Sequence, residues 1–211
     1  MSQLITTREA LRALYDPVRE RSAKKEIPEL DAHASRLIGL APFLVMASAN
    51  ACGETDASPR GGVPGFVKVL DPRTLLVPDS PGNNRLDTLE NIVSHGEQGA
   101  PVGLLFLIPG LDETLRVNGR AWLSADEALR QAAAEPRRIP KLVIRMQVHS
   151  CYLHCAKSLM RARLWDTSAQ IDRATLPSMT EMMRDQIRQF RGEEIAAETQ
   201  AEVFARNRQM L

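Results

Sequence analysis

The chain has 211 residues, of which 44% are hydrophobic and 25% charged, and this globular composition excludes wholesale disorder. Its 27 Lys and Arg residues nearly balance 26 Asp and Glu residues. The resulting net charge of +1 excludes a global basic field that would attract nucleic acid or an anionic membrane.

Cysteine use and the first residues favour a cytoplasmic protein. Three cysteines cannot form a disulfide framework, and an odd number of thiols is typical of a reducing compartment. Residues 1–12 (MSQLITTREALR) lack the apolar core of a secretory signal peptide, and the longest apolar run, residues 102–108, is too short to span a membrane. We therefore expect a cytoplasmic location, with no nucleic acid and no membrane among the partners.

Residues 1–40 predict a polar, helical N-terminal extension. Apolar residues recur there at helical spacing in short pieces, which Pro17, Pro28 and Pro42 separate or end. We expect this extension to pack on the domain that follows it.

From Phe43 onward the pattern changes to that of β-strands. Six segments are apolar or alternate with a period of two: residues 43–49, 66–70, 74–77, 102–108, 114–123 and 142–155. Several of them are joined by turn sequences with the length and chemistry of hairpin loops. The pattern predicts a mainly β (β+α) fold, a six-stranded antiparallel barrel over residues 41–170, in preference to a parallel α/β sheet.

Short helices complete the predicted fold. Residues 88–94 and a segment opened by Ser124 interrupt the strands, and residues 171–211 return to helical patterns. Within this C-terminal part, Ser178 followed by Glu181 has the spacing of a capping box. We expect the C-terminal helices, including a charged one over 193–210, to pack on the barrel or on a dimer partner.

The segment after residues 74–77 carries the most informative chemistry. A Pro-Gly turn there presents Asn83, Asn84 and Arg85 just before a helix. An arginine offers a charge-assisted fork and the carboxamides add neutral donors, a set that suits a phosphate group. Asp87 followed by Glu90 also has capping-box spacing, so a capped surface helix is the alternative to a phosphate site.

Residues 56–65 form a second candidate. Their glycines and prolines permit close approach of the backbone to a flat ligand, and Ser58 and Arg60 supply donors. The alternative is a long flexible loop.

One predicted strand has an unusually polar face. Period-two alternation places five side chains on that face: Thr114, Arg116, Asn118, Arg120 and Trp122. The face is solvated, forms a dimer contact, or lines a site for an anionic ligand.

The end of the last predicted strand allows two interpretations. Cys151, His154 and Cys155, with distant Cys52, suggest zinc, although their spacing matches no common zinc module.

The other interpretation is a helix that begins at about residue 156. It would place Lys157, Arg161 and Trp165 on one face, where they would bind an anionic aromatic cofactor or line a subunit contact.

Five segments, in this order, resemble the pyridoxamine 5′-phosphate oxidase-like FMN-binding split-barrel family, and within it a subgroup with an N-terminal helical extension. They are residues 56–62 (DASPRGG), 78–92 (PDSPGNNRLDTLENI), 103–110 (GLLFLIPG), 114–121 (TLRVNGRA) and 154–157 (HCAK). The piece NNRLDT is the most specific of these. The oxidase's R-x-V-L-L-K strand and its S-R-K phosphate clamp are absent as such, so the resemblance does not extend to oxidation of pyridoxamine phosphate.

The resemblance implies a six-stranded split barrel that forms a homodimer, with FMN in the cleft between subunits and a small-molecule substrate. It also implies a set of residues near the cofactor. Carried over residue by residue, these are Ser58, Pro59, Arg60, Val77, Asp79, Asn83, Asn84, Arg85, Thr114, Lys157, Arg161 and Trp165. Of these, Asn83, Asn84 and Arg85 would hold the phosphate, and Lys157, Arg161 and Trp165 would approach FMN from near the barrel's exit.

Three functional hypotheses follow. The first is an FMN-dependent oxidoreductase, which agrees with the lack of a Ser/His/Asp order, a paired-carboxylate spacing or a P-loop in the sequence. The second is a non-catalytic protein that binds flavin or haem, with His149 or His154 as the candidate haem ligand. The third is a zinc- or thiol-based interaction protein that uses Cys151, His154 and Cys155.

Overall fold

The computed structural model describes residues 4–210, with side chains through residue 208. The chain divides into two compact units, one that ends at Trp165 and one that begins at Asp166. Among residues 4–210, all the strands lie in the first unit, and the second contains two long helices. The three-part division at residues 40 and 170 stays a prediction.

The first unit is built on one antiparallel sheet of seven strands. They are β1 (Phe43–Ala49), β2 (Thr55–Gly61), β3 (Lys68–Asp71), β4 (Thr74–Pro78), β5 (Ala100–Ile108), β6 (Leu111–Ser124) and β7 (Val143–His154). Their order in the sheet is β2-β1-β5-β6-β7-β4-β3, and every neighbouring pair is antiparallel. The predicted mainly β, antiparallel architecture is confirmed.

Eight α-helices accompany the sheet in the described residues. They are α1 (Arg8–Arg12), α2 (Glu20–Lys24), α3 (Ala32–Leu40), α4 (Asp87–Val93), α5 (Glu127–Ala132), α6 (Lys157–Ala162), α7 (Met179–Arg191) and α8 (Gln200–Met210). The last of them begins well after the predicted start at residue 193.

Strand β2 is the one that the sequence did not predict. It pairs with β1 along its whole length, with Pro59 opposite Val45. A proline lacks the N–H that a second neighbour would need, and β2 tolerates it because β2 lies at the edge of the sheet. The sequence predicts only six strands, because the glycines and proline in this segment favour a loop. The structure has seven.

The sheet is split rather than closed. Its end strands are β2 and β3, and no backbone pairing joins them within residues 4–210. Helix α4 lies beside this end of the sheet, where Thr88 donates to Asp56 of β2 (3.0 Å) and Asn91 donates to Ser48 of β1 (2.9 Å). Helix α4 therefore contacts this open end of the sheet through side-chain hydrogen bonds.

Inward-facing apolar side chains from both halves of the sheet form one core. Ile38 of α3 and Ile92 of α4 are almost fully buried against it. The strand residues of this core include Leu44, Met46, Leu104, Phe106, Val117, Ile144 and Met146. Removing this apolar surface from water is the main term that holds the barrel together.

An N-terminal segment extends the sheet beyond β4. Strand β4 pairs with β7 only as far as Gln147, and β7 is irregular between Val148 and Ser150. Past this point Ile27 takes the place of β4, with its N–H donating to the carbonyl of Cys151 (3.0 Å) and its carbonyl accepting from the Cys151 N–H (2.9 Å). The N-terminal extension is thus part of the barrel wall.

The C-terminal unit begins its first long helix as the sequence predicts. Ser178 and Glu181 form a complete capping box at the start of α7. The hydroxyls of Ser178 and Thr180 both donate to the carbonyl of Glu198, just before α8. No helix in the described part of the chain is long and apolar enough to cross a membrane.

Candidate functional site

The first group of candidate residues lies where the end of β2 meets the chain that leaves β4. It comprises Ser58, Pro59, Arg60, Val77, Asp79, Asn83, Asn84 and Arg85. Arg60 Nη1 lies 3.7 Å from the Asp79 carboxylate, and the two side chains are only 15% and 19% exposed. The Arg60 Nε is buried and has no hydrogen-bond partner among the described residues. A buried guanidinium N–H without an acceptor is costly, so this atom marks a place suited to an anionic ligand.

A second arginine fixes the backbone beside this group. Arg138 donates from Nη1 to the carbonyl of Asp79 (2.9 Å) and from Nη2 to Ser80 Oγ (3.2 Å). Its Nη2 also lies 2.6 Å from the Glu135 carboxylate. Sequence reasoning missed Arg138, because no local motif links it to Asp79, 59 positions earlier in the chain.

The turn that leads from β4 to α4 carries backbone strain. Asn84 and Leu86 have φ values of 59° and 62°, in the left-handed region that side chains disfavour. The Asn83 side chain supports the turn by accepting a hydrogen bond from the Arg85 N–H (3.0 Å). Such strain is concentrated at ligand clamps and switch regions, which supports the choice of this turn as a site.

Arg85 forms an ion pair with Asp87, two residues further along the chain. Its Nε donates to the Asp87 carboxylate (2.8 Å), and the side chain is 73% exposed. The hydrogen bond and charge of Asp87 raise the pKa of Arg85 above its ordinary value. In this structure the arginine fork is therefore occupied by a carboxylate.

The predicted capping box at the start of α4 is wrong. Leu86 occupies the N-cap position in a left-handed conformation without a side-chain bond, and Asp87 is the first helical residue. The Asp87 carboxylate binds Arg85 instead of a backbone amide, because the turn places the two side chains next to each other.

The other residues of the first group differ in exposure. Ser58 is half-buried on the same face of β2 as Arg60, whereas Pro59 faces solvent on the opposite side. Val77 is fully buried in the core and pairs with Ile144 of β7. Any contact of Val77 with a ligand would therefore use its backbone rather than its side chain.

The second group of candidate residues surrounds the start of β6 and comprises Thr114, Lys157, Arg161 and Trp165. Thr114 is buried there and lies opposite His154 of β7, and α6 packs against β6. Lys157 and Arg161 are exposed on α6. Trp165 donates its indole N–H to the carbonyl of Leu111 (2.9 Å), which fixes the chain after α6 to the strand.

The predicted helical face of Lys157, Arg161 and Trp165 is only partly formed. Helix α6 ends at Ala162, since Arg163 adopts a left-handed conformation (φ 50°). Trp165 therefore lies beyond the helix, and the helical spacing holds for the two cations alone.

The polar face of β6 serves several purposes. Arg120 Nε donates to the carbonyl of Gln98 (2.8 Å) and Trp122 Nε1 to the carbonyl of Glu97 (3.0 Å), so these two side chains hold the turn before β5. Arg116 instead donates to the Tyr152 hydroxyl (3.0 Å).

The cysteines do not converge. Cys151 is fully buried, its thiol lies 3.4 Å from the Glu29 carbonyl, and burial followed by the charge of Asp31 raises its pKa. Cys52 and Cys155 are free and exposed. Across the described residues no group of three or more His, Cys, Asp or Glu could hold a metal ion, so the zinc interpretation lacks a ligand set.

His154 and His149 occupy different surroundings. The His154 Nε2 is buried without a partner in the described structure, and burial, then the charges of Arg116 and Lys25, lower the pKa of its imidazole. His149 is exposed and borders an open groove of about 480 Å³ on the outside of the sheet.

Small side chains form the floor of this groove. Ala47, Ala49 and Gly103 lie beside Asn118, which permits close approach of a flat molecule or a second chain. The run of small residues at the end of β1, residues 47–49, could have identified this surface from the sequence.

Residues 30–155 match the family model described as pyridoxamine 5′-phosphate oxidase. No curated protein sequence matches the chain.

Among solved structures, HupZ of Group A Streptococcus is 16% identical and covers 59% of this chain and 93% of its own, with a TM-score of 0.46. An FMN-binding protein from Syntrophomonas wolfei is 11% identical, with 58% and 84% covered and a TM-score of 0.41. The FAD binding protein from Mycobacterium smegmatis is 14% identical, with 61% and 97% covered and a TM-score of 0.42. Identities this low say nothing about which ligand this chain binds.

Proposed function

Because the chain belongs to the pyridoxamine 5′-phosphate oxidase family, we propose that it is a flavoprotein that binds FMN. It would act as an oxidoreductase on a small molecule. When bound, FMN supplies the transfer of hydride or electrons, and the residues of this chain bind the cofactor, orient it and exclude water.

The observation that carries the proposal is the buried, unpartnered Nε of Arg60 at the junction of β2 and the chain after β4. A phosphate oxygen is a strong acceptor that would satisfy this donor with a charge-assisted hydrogen bond. Arg138 holds the backbone of Asp79 in place beside it, so the junction is already ordered. This chemistry fits the anionic end of FMN.

The strained turn would supply the rest of the phosphate contacts. Asn83 and Asn84 offer carboxamide donors, and Arg85 offers its guanidinium after exchanging Asp87 for the phosphate. Breaking the Arg85–Asp87 pair would cost little, because an exposed ion pair contributes little to stability. Ser58 and Asp79 would border the cofactor with their side chains. Pro59 faces away from Arg60 and Val77 is buried in the core, so these two would border it only through their backbone.

We propose a homodimer with the cofactor in the cleft between subunits. The outer face of β1 and β5 carries Phe43, Val45, Leu105 and Leu107, all of them exposed or half-buried on a strand surface. A contiguous apolar surface of this kind is typical of a protein interface. A second copy of the chain would cover it.

The second group of residues would then approach the flavin from the partner subunit. Lys157 and Arg161 are exposed and form no ion pair with any described carboxylate, so their charges are available to an anionic cofactor. Thr114 and Trp165 would accompany them. The three free thiols support a cytoplasmic location.

The test is the absorption spectrum of the purified protein, together with its mass in solution. We expect a yellow protein that releases FMN on denaturation, identified by mass spectrometry, and a particle of twice the 23.4 kDa chain. Reduction of the bound flavin by a nicotinamide or deazaflavin donor would support catalysis. A Soret band would indicate haem instead, and a colourless protein that takes up no FMN would contradict the proposal.

A further inference from the structure

A cavity of about 210 Å³ lies between the N-terminal segment and the end of β7. None of the twelve candidate flavin residues lines it. Its walls are mainly apolar, formed by Ile27, Ala34, Leu115 and Leu153, and its polar side includes Lys25 and Tyr152. The cavity has room for a molecule about as large as a substituted benzene ring.

The N-terminal wall of this cavity is ordered by backbone bonds. Ile27 exchanges two hydrogen bonds with Cys151, and Leu30 donates its N–H to the carbonyl of Pro72 (2.8 Å). The cavity is therefore part of the folded barrel wall, and a ligand would not have to order a loop in order to bind.

Two cations flank the ring of Tyr152. Lys25 Nζ lies 4.6 Å from the ring centroid and donates to the carbonyl of Leu153 (2.9 Å). The Arg116 guanidinium carbon lies 5.7 Å from the same centroid, and its Nη1 donates to the Tyr152 hydroxyl. Neither cation forms an ion pair with a carboxylate of the described chain.

Hydrogen-bond donors exceed acceptors around this ring. A lysine ammonium has three protons and an arginine has five N–H donors, and only one hydrogen bond from each is formed here. The Tyr152 hydroxyl accepts from Arg116, and its own proton has no acceptor in the described residues. The unpartnered Nε2 of His154 lies on a ring 5.0 Å from that of Tyr152.

The one acid at the cavity wall already has a structural task. Asp31 is the N-cap of α3, and its Oδ1 accepts from the Ala34 N–H (2.7 Å). A carboxylate at a helix N-terminus is stabilised by the free amides and the helix dipole. In the described chain it forms no ion pair with either of the two cations at Tyr152.

We propose that this cavity binds a small organic carboxylate. The carboxylate lies against Lys25 and the Tyr152 hydroxyl, and the apolar part of the ligand fills the space between Ile27, Ala34 and Leu115. The site goes beyond the proposed flavin function, since binding can be measured directly whether or not the protein carries a flavin.

The experiment is a titration of the purified protein with benzoate, followed by isothermal calorimetry and by saturation-transfer NMR. We expect saturable binding, and about tenfold weaker binding of benzyl alcohol, which has the same ring without the charge. Lys25→Met keeps the apolar stem of the side chain and should weaken benzoate binding by about tenfold. Tyr152→Phe, which removes only the hydroxyl, should weaken it in the same direction.

Lys24→Met is the matched control, because Lys24 is the neighbouring residue and its ammonium pairs with Glu20 in solvent. It should bind benzoate as the unmodified protein does, and the melting temperatures of all variants establish that each is folded. The proposal is overturned if the unmodified protein shows no saturable benzoate binding, if benzyl alcohol binds equally well, or if Lys25→Met and Lys24→Met behave alike. Preferential binding of benzylamine would also overturn it and would point to Asp31 as the binding group.

Discussion

Arg60 and Asp79 approach to 3.7 Å across the junction between β2 and the chain that leaves β4. The two strands are not neighbours in the sheet, so this ion pair spans the place where strand pairing leaves the barrel split. Both side chains are mostly buried, and the Arg60 Nε has no acceptor among the described residues.

We expect Arg60→Gln to lower the affinity of the protein for FMN. Loss of one charge-assisted contact to a phosphate costs about 1.5–3 kcal/mol, which corresponds to a roughly 10- to 150-fold higher Kd. The measurement is quenching of flavin fluorescence when the apoprotein is titrated with FMN.

Arg73→Gln provides the control for that variant. Arg73 pairs with Glu29 on the surface and belongs to neither group of candidate residues. If both variants bind FMN with the same Kd, Arg60 is not a phosphate ligand.

Asp87→Asn should increase the affinity for FMN. The substitution removes the carboxylate that holds Arg85 and that would repel a phosphate dianion, while leaving the shape of the side chain almost unchanged. Arg85→Ala should have the opposite effect. The same fluorescence titration, repeated at low and high salt, measures both changes, and weaker binding by Asp87→Asn would show that Arg85 does not face the ligand.

Protonation of His154 in mild acid should lower the stability of the folded protein. Its folded-state pKa is lowered by burial and then by Arg116 and Lys25, so the unfolded chain binds the proton more readily. Stability is therefore complete above the unfolded imidazole pKa of about 6.5 and is lost as the pH falls below it toward the folded-state value.

Thermal melting across this pH range tests the sign of the effect. His154→Gln should show a smaller fall in Tm between about pH 7 and about pH 5 than the unmodified protein does. His33→Gln replaces an exposed histidine and should leave the fall unchanged. A steeper fall in His154→Gln would mean that the protonated imidazole stabilises the folded state.

Gly119→Ala should strongly destabilise the barrel. A Cβ atom at this position would collide with the backbone carbonyl oxygen of Gln147 on β7, at the irregular part of the β6–β7 pairing. Backbone cannot move aside as a flexible side chain can, so we expect a loss of about 3 kcal/mol in the free energy of unfolding.

Urea denaturation measures this loss, and Gly39→Ala is its control. Gly39 lies in α3, where an added methyl group would meet open space, so alanine should stabilise the protein there by about 0.5–1 kcal/mol. Equal stabilities of the two variants would place the contact between β6 and β7 in doubt.

Most of the secondary structure follows from local sequence patterns. The apolar run over β1 predicts its limits to the residue, and β5, β6 and β7 deviate from their predicted limits by a few residues at most. These strands are predictable because hydrophobic periodicity reports which side chains a strand will bury. Strand β2 is not predictable in this way, because Pro59 and the neighbouring glycines favour a loop, and only its edge position makes a strand possible.

The candidate site is only partly accessible to the same reasoning. The sequence of residues 83–85 identifies the turn as a candidate phosphate site. The hydrogen bond from Arg85 to Asp87 depends on the left-handed conformations of Asn84 and Leu86, which the local sequence does not predict. Trp165 lies outside the helical face that its spacing predicts, since the helix ends too early to include it.

Which distant residues meet is a property of the folded barrel alone. Its packing brings Arg60, Asp79 and Arg138 together, and the N-terminal segment places Lys25 over Tyr152 on the last strand. Local patterns specify which face of a strand or helix is buried. Contacts between distant segments depend on strand order and register, which are set by the packing of the whole core and leave no signature in a short stretch of sequence.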